Sequence, residues 1–361
     1  MNKILEIAKK FNISSEPVAF YEHKVGHINS TYFVTCENGK KYVLQNINTS
    51  VFKDPDVLMN NIVGVTTHIR QKLKAEGKSS ARRTLRFYSV EDGLYYYKDD
   101  RNRYWRLYKF IDNVDCYQSA DSTEILEKVG EAFGHFQMQL ADYDATLLKQ
   151  TIPNFHNTVS RLNDLKTAID NDKAGRVNSV RDEIQFVLDH SDVCSYIMDR
   201  IENGEIPLRV THNDTKLNNI LMDHASGEPI CVIDLDTIMP GSVLFDFGDA
   251  IRFGASSADE DETDLSKVYM REDAFEAFAK GFVSGLEGSL SKTEIMELPM
   301  GALVITLETG IRFLTDYLNG DTYFRIHYPE HNIDRARNQF ALVRDMESKL
   351  DNMKEIVKKY I

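Results

Sequence analysis

The chain has 361 residues, of which 42% are hydrophobic and 27% are charged, and its formal net charge is −13. This composition is that of a globular protein large enough for two domains. The acidic balance argues against nucleic acid or an anionic membrane as the main partner, because both attract basic surfaces.

Cysteine usage and the N-terminal pattern predict a cytoplasmic location. The four cysteines are scattered without a C-x-x-C pair, and the ten histidines show no zinc-protease spacing. The first eleven residues have an amphipathic helical pattern and lack the apolar core of a signal peptide. No apolar run approaches membrane-spanning length, so we expect no membrane partner.

The first third of the chain has the pattern of a small lobe rich in strands. Short runs of β-forming residues alternate there with turn signals, and Asp54-Pro55-Asp56 is a typical helix start. The predicted elements are, in order, an N-terminal helix, strands at 17–23, 31–36 and 42–47, a helix from Asp54 to about Lys74, and strands at 84–90, 94–97 and 104–111.

Beyond a predicted hinge at Asp112-Asn113 the pattern becomes mostly helical. Apolar residues recur there at the spacing of one helix face. A short strand and a hairpin around Ser226-Gly227 interrupt the helices. The predicted elements are a helix at 122–140, two or three helices within 155–203, a strand at 208–210, hairpin strands at 220–222 and 230–233, and further helices after 262.

The most informative feature is a group of polar residues at fixed spacing. His212, Asp214 and Asn219 follow the pattern H-x-D-x-x-x-x-N, and Asp234 comes directly after an apolar strand pattern. This is the active-site spacing of kinase-fold phosphotransferases, in which the first Asp orients the acceptor hydroxyl and takes its proton. The sequence therefore predicts a kinase with an α+β, two-lobed, protein-kinase-like fold and Asp214 as its catalytic base.

The predicted hinge at Asp112-Asn113 sets the lobe boundaries. We predict a strand-rich N-lobe over residues 1–112 that binds the nucleotide. The mostly helical C-lobe over residues 113–361 would carry catalysis.

Asn219 and Asp234 are the predicted metal ligands. Mg²⁺ favours oxygen ligands and keeps several waters, so a carboxylate, an amide oxygen and nucleotide phosphates form a plausible set. Asn218 is an alternative to Asn219, and only the spacing from Asp214 favours the latter. Asp236 would face the same way as Asp234 if the strand continued, either as a supporting residue of the metal site or as a solvated carboxylate.

A second three-residue match points to a different aspartate. Asp246-Phe247-Gly248 spells the metal motif of protein kinases, but it does not follow an apolar strand as Asp234 does. We therefore interpret Asp246 as a structural residue that anchors the catalytic loop. We expect His212 to brace that loop through hydrogen bonds.

The predicted phosphate contacts are weaker signals. Lys216 could neutralise the γ-phosphate, or it could be solvated. The turn at 24–30 has a single glycine, Gly26, and together with Ile28 and Asn29 it could bring backbone N–H groups to the phosphates. Gln45 stands where a protein kinase has its strand lysine, and a neutral amide cannot neutralise a phosphate.

With these residues in view, the chain resembles the phosphotransferase family of aminoglycoside and choline kinases, and within it most resembles kinases of N-acetylhexosamines. The resemblance spans almost the whole chain and depends on long, specific segments. They are GHIN at 26–29, LQ at 44–45, THNDTKLNNILMD at 211–223, IDLDTIMPG at 233–241, LFDFGDAIRFGAS at 244–256, RFL at 312–314, DTYF at 321–324 and YPEHN at 328–332.

This resemblance implies phosphorylation of the anomeric hydroxyl of N-acetylglucosamine or N-acetylgalactosamine, with ATP and Mg²⁺. The family carries glutamine at the position of Gln45, so the missing lysine does not imply lost activity. The partners implied are the nucleotide and a small-molecule sugar. The resemblance also places sugar binding in the C-lobe, and it implies a sugar-site lining of His27, Asp214, Phe253, Arg312 and Tyr323.

Two alternatives stay open at this stage. A kinase of another hydroxylated metabolite, such as an amino alcohol or an aminoglycoside, is suggested by the acidic run at 259–264, although such a run is usually a solvated surface loop. A nucleotide-binding pseudokinase is suggested by Gln45 and the single-glycine turn. The presence of Asp214, Asn219 and Asp234 argues against the pseudokinase.

Overall fold

The computed structural model describes residues 3–24, 28–119 and 122–361. Helices and strands are numbered separately in chain order. The helices are α1 (Lys3–Ala8), α2 (Pro55–Ala75), α3 (Thr123–Gln139), α4 (Thr158–Asn171), α5 (Arg181–Asp189), α6 (Ser191–Glu202), α7 (Val243–Gly254), α8 (Glu272–Gly285), α9 (Lys292–Asn319) and α10 (His331–Lys358). The strands are β1 (Pro17–His23), β2 (Ser30–Cys36), β3 (Lys41–Ile47), β4 (Phe87–Tyr88), β5 (Tyr97–Lys98), β6 (Tyr104–Lys109), β7 (Val114–Asp115), β8 (Arg209–Thr211), β9 (Ile220–Asp223), β10 (Pro229–Val232) and β11 (Met239–Gly241).

The chain forms two compact units and passes between them several times. The first unit comprises Met1–Cys116, Asp142–Pro153 and Ile220–Met239. The second comprises the remaining segments, which are Tyr117–Ala141, Asn154–Asn219 and Pro240–Ile361.

An antiparallel sheet dominates the first unit. Its strand order is β1-β2-β3-β6-β4, with β5 also paired to β6. A smaller sheet of order β10-β9-β7 belongs to the same unit. The main sheet buries apolar residues such as Val34, Leu44 and Trp105 in one cluster, and this burial is the main force that holds strands distant in sequence together. Helix α2 begins where the Asp54 side chain accepts the backbone N–H of Val57.

Two strands are much shorter than their sequence patterns predict. The segment predicted as a strand over 84–90 forms only β4, and the one predicted over 94–97 forms only β5, which shares Tyr97 with the prediction. Leu85, Phe87 and Val90 are buried, so the apolar pattern reflects core contact without a continued ladder of hydrogen bonds. Gly93 turns the chain, with its N–H donated to the carbonyl of Val90.

Helices form most of the second unit, as the sequence predicts. The predicted helix over 122–140 is α3, and the region 155–203 contains α4, α5 and α6. Helices α7 and α9 pack together through a pair of glycines. A Cβ on Gly248 would lie 2.3 Å from the carbonyl oxygen of Gly301, so neither position has room for a side chain against the other helix.

Helix α9 is long and apolar enough to cross a membrane by length and composition, and it alone passes that test within the described residues. However, 89% of its most apolar 18-residue window is buried inside the protein. That burial is typical of a core helix. A capping box formed by Ser291 and Glu294 fixes the start of the helix.

Candidate active site

The loop between β8 and β9 carries the predicted catalytic base. Asn213, one residue before Asp214, has a positive φ of 63°, a conformation that asparagine tolerates better than most residues. The side-chain nitrogen of Asn219 donates to the Asp214 carbonyl at 2.7 Å and to its carboxylate at 3.1 Å. These bonds hold Asn219 against Asp214, and both are made by the amide nitrogen of Asn219 and not by its oxygen.

Lys216 lies against the carboxylate of Asp214. Its ammonium nitrogen is 2.7 Å from Oδ1 of Asp214 and 5.4 Å from the ring centre of Phe253. Burial alone would lower the pKa of Lys216, but the carboxylates of Asp214 and Asp249 outweigh it and raise this pKa above its ordinary value. A protonated lysine therefore stands beside the base at neutral pH.

Asp246 on α7 anchors the backbone of the catalytic loop. Its two carboxylate oxygens accept the backbone N–H groups of His212 at 2.9 Å and of Asn213 at 2.7 Å. Gln137 donates to the same carboxylate at 2.6 Å. Burial raises the pKa of Asp246 despite these bonds. These contacts match the structural role predicted for Asp246.

Helix α7, which carries Asp246, holds the catalytic loop at a second point. The backbone N–H of Thr215 donates to Asp249 on α7, and its hydroxyl donates to the carbonyl of Asp246. Asp249 pairs in turn with Arg252 at 3.0 Å. His212 braces the loop as well, because its Nδ1 accepts the backbone N–H of Asp214. Helix α7 therefore holds the catalytic loop at two points, through Asp246 and Asp249.

A buried pair that the sequence argument missed supports the loop from α9. His156 lies 2.9 Å from Glu308, and its other ring nitrogen is 3.4 Å from the carbonyl of Asn213. Glu308 is 1% exposed. Burial would raise the pKa of Glu308, but the neighbouring His156 lowers it overall. His156 and Glu308 are 152 residues apart, so no local pattern could have revealed the pair.

Arg312 lies one turn beyond Glu308 on α9, among aromatic rings. Its guanidinium is 6.0 Å from the ring centre of Tyr323, 5.7 Å from that of Phe155 and 5.5 Å from that of Phe324. Tyr323 is 68% exposed, so its ring can contact a ligand. Two of the predicted sugar-binding residues, Arg312 and Tyr323, are therefore neighbours.

The loop after α9 is held by one carboxylate. Asp316 accepts the backbone N–H groups of Thr322, Tyr323 and Phe324 at 2.8 to 2.9 Å. The side chain of Asn332 donates to Asp316 as well. These hydrogen bonds hold the backbone of the loop and do not involve the Tyr323 side chain.

Asp234 and Asp236 lie in the first unit, where the strand ends earlier than expected. Strand β10 stops at Val232, Asp234 has a positive φ of 58°, and a short 3₁₀ turn follows. The strand does not continue to Asp236, so the expectation that Asp236 faces the same way as Asp234 by strand alternation is wrong. Asp236 is 4% exposed, forms an ion pair with Arg106 and accepts from Asn29 at 2.6 Å, so it is not solvated.

Gln45 binds Arg106, the arginine that pairs with Asp236. Its side chain donates to Thr31 and accepts two N–H groups of Arg106, from Nε at 3.0 Å and Nη2 at 2.8 Å. Arg106 was not among the predicted site residues, although an arginine inside an otherwise apolar strand was a usable signal.

In the predicted phosphate-binding turn, Ile28 is 48% exposed, whereas Gly26 and His27 lie outside the described residues.

Asn219 and Asp234 stay predicted metal ligands. Within residues 3–24, 28–119 and 122–361, no group of three or more His, Cys, Asp and Glu side chains could hold a metal ion. A magnesium ion held by one carboxylate, one amide oxygen, waters and phosphates needs no such group. The carboxylate of Asp234 and Oδ1 of Asn219 are oxygen donors of the required type.

A strand-rich unit, a helical unit and a loop with an oriented Asp and Asn define the class of kinase-fold phosphotransferases. Residues 22–279 match the phosphotransferase enzyme family known as APH. The chain belongs to this family and is an enzyme of the phosphotransferase kind, with an alcohol group as acceptor. The family predicted from the sequence is confirmed.

Solved structures agree with this assignment. An aminoglycoside phosphotransferase from Alicyclobacillus acidocaldarius is 12% identical with a TM-score of 0.60, and 98% of this chain and 96% of that one are covered. A choline kinase from Cryptosporidium parvum is 13% identical with a TM-score of 0.60, at coverages of 99% and 98%. An amicoumacin kinase solved with AMP-PNP, Ca²⁺ and its ligand is 14% identical with a TM-score of 0.57, at coverages of 99% and 92%. At such identities the comparisons show the fold, and the predicted α+β, kinase-like class is confirmed.

We expect Asp246→Asn to destabilise the protein and to slow catalysis. Either orientation of the new amide places an NH₂ group against a buried N–H donor, which costs about 1–3 kcal/mol. Displacement of the catalytic loop should lower kcat by up to about 100-fold. Urea unfolding and steady-state kinetics measure the two effects, with the exposed Asp351→Asn as the matched control. Equal stability of the two variants would contradict the anchoring role.

Proposed function

We propose that the chain is an N-acetylhexosamine 1-kinase. It transfers the γ-phosphoryl group of ATP to the anomeric C1 hydroxyl of N-acetylglucosamine or N-acetylgalactosamine, giving the sugar 1-phosphate and ADP. The nucleotide binds in the N-lobe over residues 1–112, and the sugar binds in the catalytic C-lobe over residues 113–361. We propose a cytoplasmic location, where both substrates are metabolites.

The arginine among aromatic rings supports this acceptor more than any other observation. Arg312 already places a cation against the rings of Phe155, Tyr323 and Phe324. A quaternary amine or a protonated amino alcohol would need those faces and would be repelled by the guanidinium. A neutral sugar can instead accept hydrogen bonds from Arg312 through its hydroxyl or acetamido oxygens and stack its apolar face on Tyr323.

The chemistry of the catalytic loop suits an anomeric acceptor. The carboxylate of Asp214 accepts a hydrogen bond from the C1 hydroxyl and receives its proton as the new O–P bond forms and the bond to the β-phosphate oxygen breaks. An anomeric hydroxyl is more acidic than a simple alcohol, so a carboxylate is a sufficient base. Lys216 stands beside this carboxylate, where its charge offsets the negative charge of the transferred group.

The remaining predicted residues take the other parts of the reaction. Asn219 and Asp234 would hold Mg²⁺, which would neutralise negative charge on the phosphates when bound. Ile28 and Asn29 follow Gly26 in the predicted phosphate-binding turn, and Gln45 lies in the adjoining strand. Phe253 and His27 complete the proposed sugar lining, and Phe253 is 45% exposed and available for such a contact.

The acidic run at 259–264 offers little support for a cationic acceptor. Glu260 pairs with Arg252 at 2.7 Å, and Asp264 lies 3.3 Å from Lys267. Asp261 contacts His331 at 3.2 Å. Much of the charge of the run is therefore committed to partners within the protein. The pseudokinase alternative is disfavoured because Asp214, Asn219 and Asp234 are all present, and Asn219 donates a hydrogen bond to Asp214.

A substrate panel tests the proposal directly. Purified protein is incubated with ATP, Mg²⁺ and one acceptor at a time, covering N-acetylhexosamines, their non-acetylated counterparts, choline, ethanolamine and aminoglycosides. ADP release is measured, and the product is examined by ³¹P and ¹H NMR. We expect phosphate on C1 of an N-acetylhexosamine. Faster turnover on an amine, or phosphate on another oxygen, would overturn the assignment.

Asp214→Asn should remove most of the activity and leave nucleotide binding in place. A general base contributes roughly 100- to 10,000-fold in rate, so kcat should fall by that factor. Stability should change little, because the Asp214 carboxylate is partly exposed to solvent. Single-turnover kinetics and calorimetric titration with AMP-PNP measure the two quantities. A variant with near-normal turnover would remove Asp214 from the catalytic role.

Arg312→Ala should weaken sugar binding and spare ATP. Loss of a charged hydrogen-bond donor is expected to raise the KM for the sugar by about 10- to 100-fold, with the KM for ATP within about twofold. Arg335→Ala is the matched control, because Arg335 also lies over an aromatic ring, that of Phe313 at 5.3 Å. An unchanged KM for the sugar in Arg312→Ala would exclude Arg312 from the acceptor site.

A further inference from the structure

We infer that Arg106 supplies the cation for the nucleotide phosphates that Gln45 cannot provide, so that the positive charge of this site comes from β6 and not from β3. The inference rests on the proposed function only in taking a nucleoside triphosphate as phosphoryl donor. It holds for any acceptor.

The two residues face each other across the sheet. Gln45 on β3 is directly opposite Arg106 on β6 in an antiparallel ladder, so their side chains point to the same face. The guanidinium donates from Nε and Nη2 to the amide oxygen of Gln45. Gln45 therefore positions the arginine, and a lysine in its place would repel it.

Arg106 is charged and held in a fixed orientation. It is 3% exposed and forms an ion pair with Asp236 through Nη1. Burial would lower the pKa of Arg106, but Asp236 and, more weakly, Asp234 raise it. Its partner Asp236 is two residues from Asp234, so the Arg106–Asp236 ion pair brings the guanidinium to the segment that carries the predicted metal ligand. A phosphate chain that reached that metal would come near the guanidinium.

The guanidinium has hydrogen-bonding capacity left for a ligand. Arginine carries five N–H donors, and the described partners take one each from Nε, Nη1 and Nη2. One N–H on each terminal nitrogen is left, and these two suit phosphate oxygens. The purely structural explanation is that Arg106 only neutralises the buried Asp236, and the two explanations make different predictions.

The test measures nucleotide binding without any acceptor. Wild-type, Arg106→Gln and the double variant Gln45→Lys with Arg106→Gln are titrated with Mg²⁺ and AMP-PNP, and separately with adenosine. We expect Arg106→Gln to weaken AMP-PNP binding by about 10- to 100-fold and to leave adenosine binding within about twofold. The double variant returns a cation to β3 and should recover at least about tenfold of the lost affinity. Arg103→Gln, which loses a more exposed pairing with Asp99, is the matched control.

Three results would overturn the inference. They are equal weakening of AMP-PNP and adenosine binding by Arg106→Gln, unchanged AMP-PNP binding in that variant, and no recovery in the double variant. If Arg106→Gln does not fold, the double variant and Arg106→Lys decide the matter, because both keep a cation beside Asp236. A failure of the sugar assignment would appear only in the acceptor panel and would leave these titrations unchanged.

Discussion

The burial of one carboxylate, Asp246, sets the geometry of the loop that carries the proposed base, Asp214. A buried charge is unfavourable unless hydrogen bonds offset its desolvation, and Asp246 obtains them from the backbone of His212 and Asn213. The same bonds fix the strained loop in which Asp214 follows a residue of positive φ. Stability and catalytic geometry are therefore coupled, because the loop cannot relax without leaving this carboxylate unpaired.

Helix packing extends this coupling from the base to the proposed acceptor site. Helices α7 and α9 approach closely at Gly248 and Gly301. Helix α7 holds the catalytic loop from Asp246, whereas α9 supports it through Glu308 and carries Arg312 one turn later. A shift of one helix along the other would move Asp214 relative to Arg312. The absence of side chains at the two glycines makes such a shift costly, since the backbones are already in contact.

The sequence predicted what depends on local spacing. The spacing of Asp214, Asn219 and Asp234 indicated the kinase class, and helical periodicity located α2 and α3 to within about one residue. What it could not predict depends on contacts between distant segments. The pairs of His156 with Glu308 and of Arg106 with Asp236 join residues more than 100 positions apart. The early end of β10 removed the strand alternation expected for Asp236. The structural role of Asp246 was predicted because this residue does not follow an apolar strand, although Asp246-Phe247-Gly248 matches the metal motif of protein kinases.

The Asp316 loop has a consequence for the evolution of new specificities. This carboxylate binds the backbone of residues 322–324 and not their side chains, so these hydrogen bonds do not depend on which side chain stands at Tyr323. A lineage could therefore exchange that ring for another group at little cost in folding, and so sample new acceptors while the phosphoryl-transfer machinery stays intact. A position open to substitution is thus carried by a loop whose backbone is held by a single carboxylate.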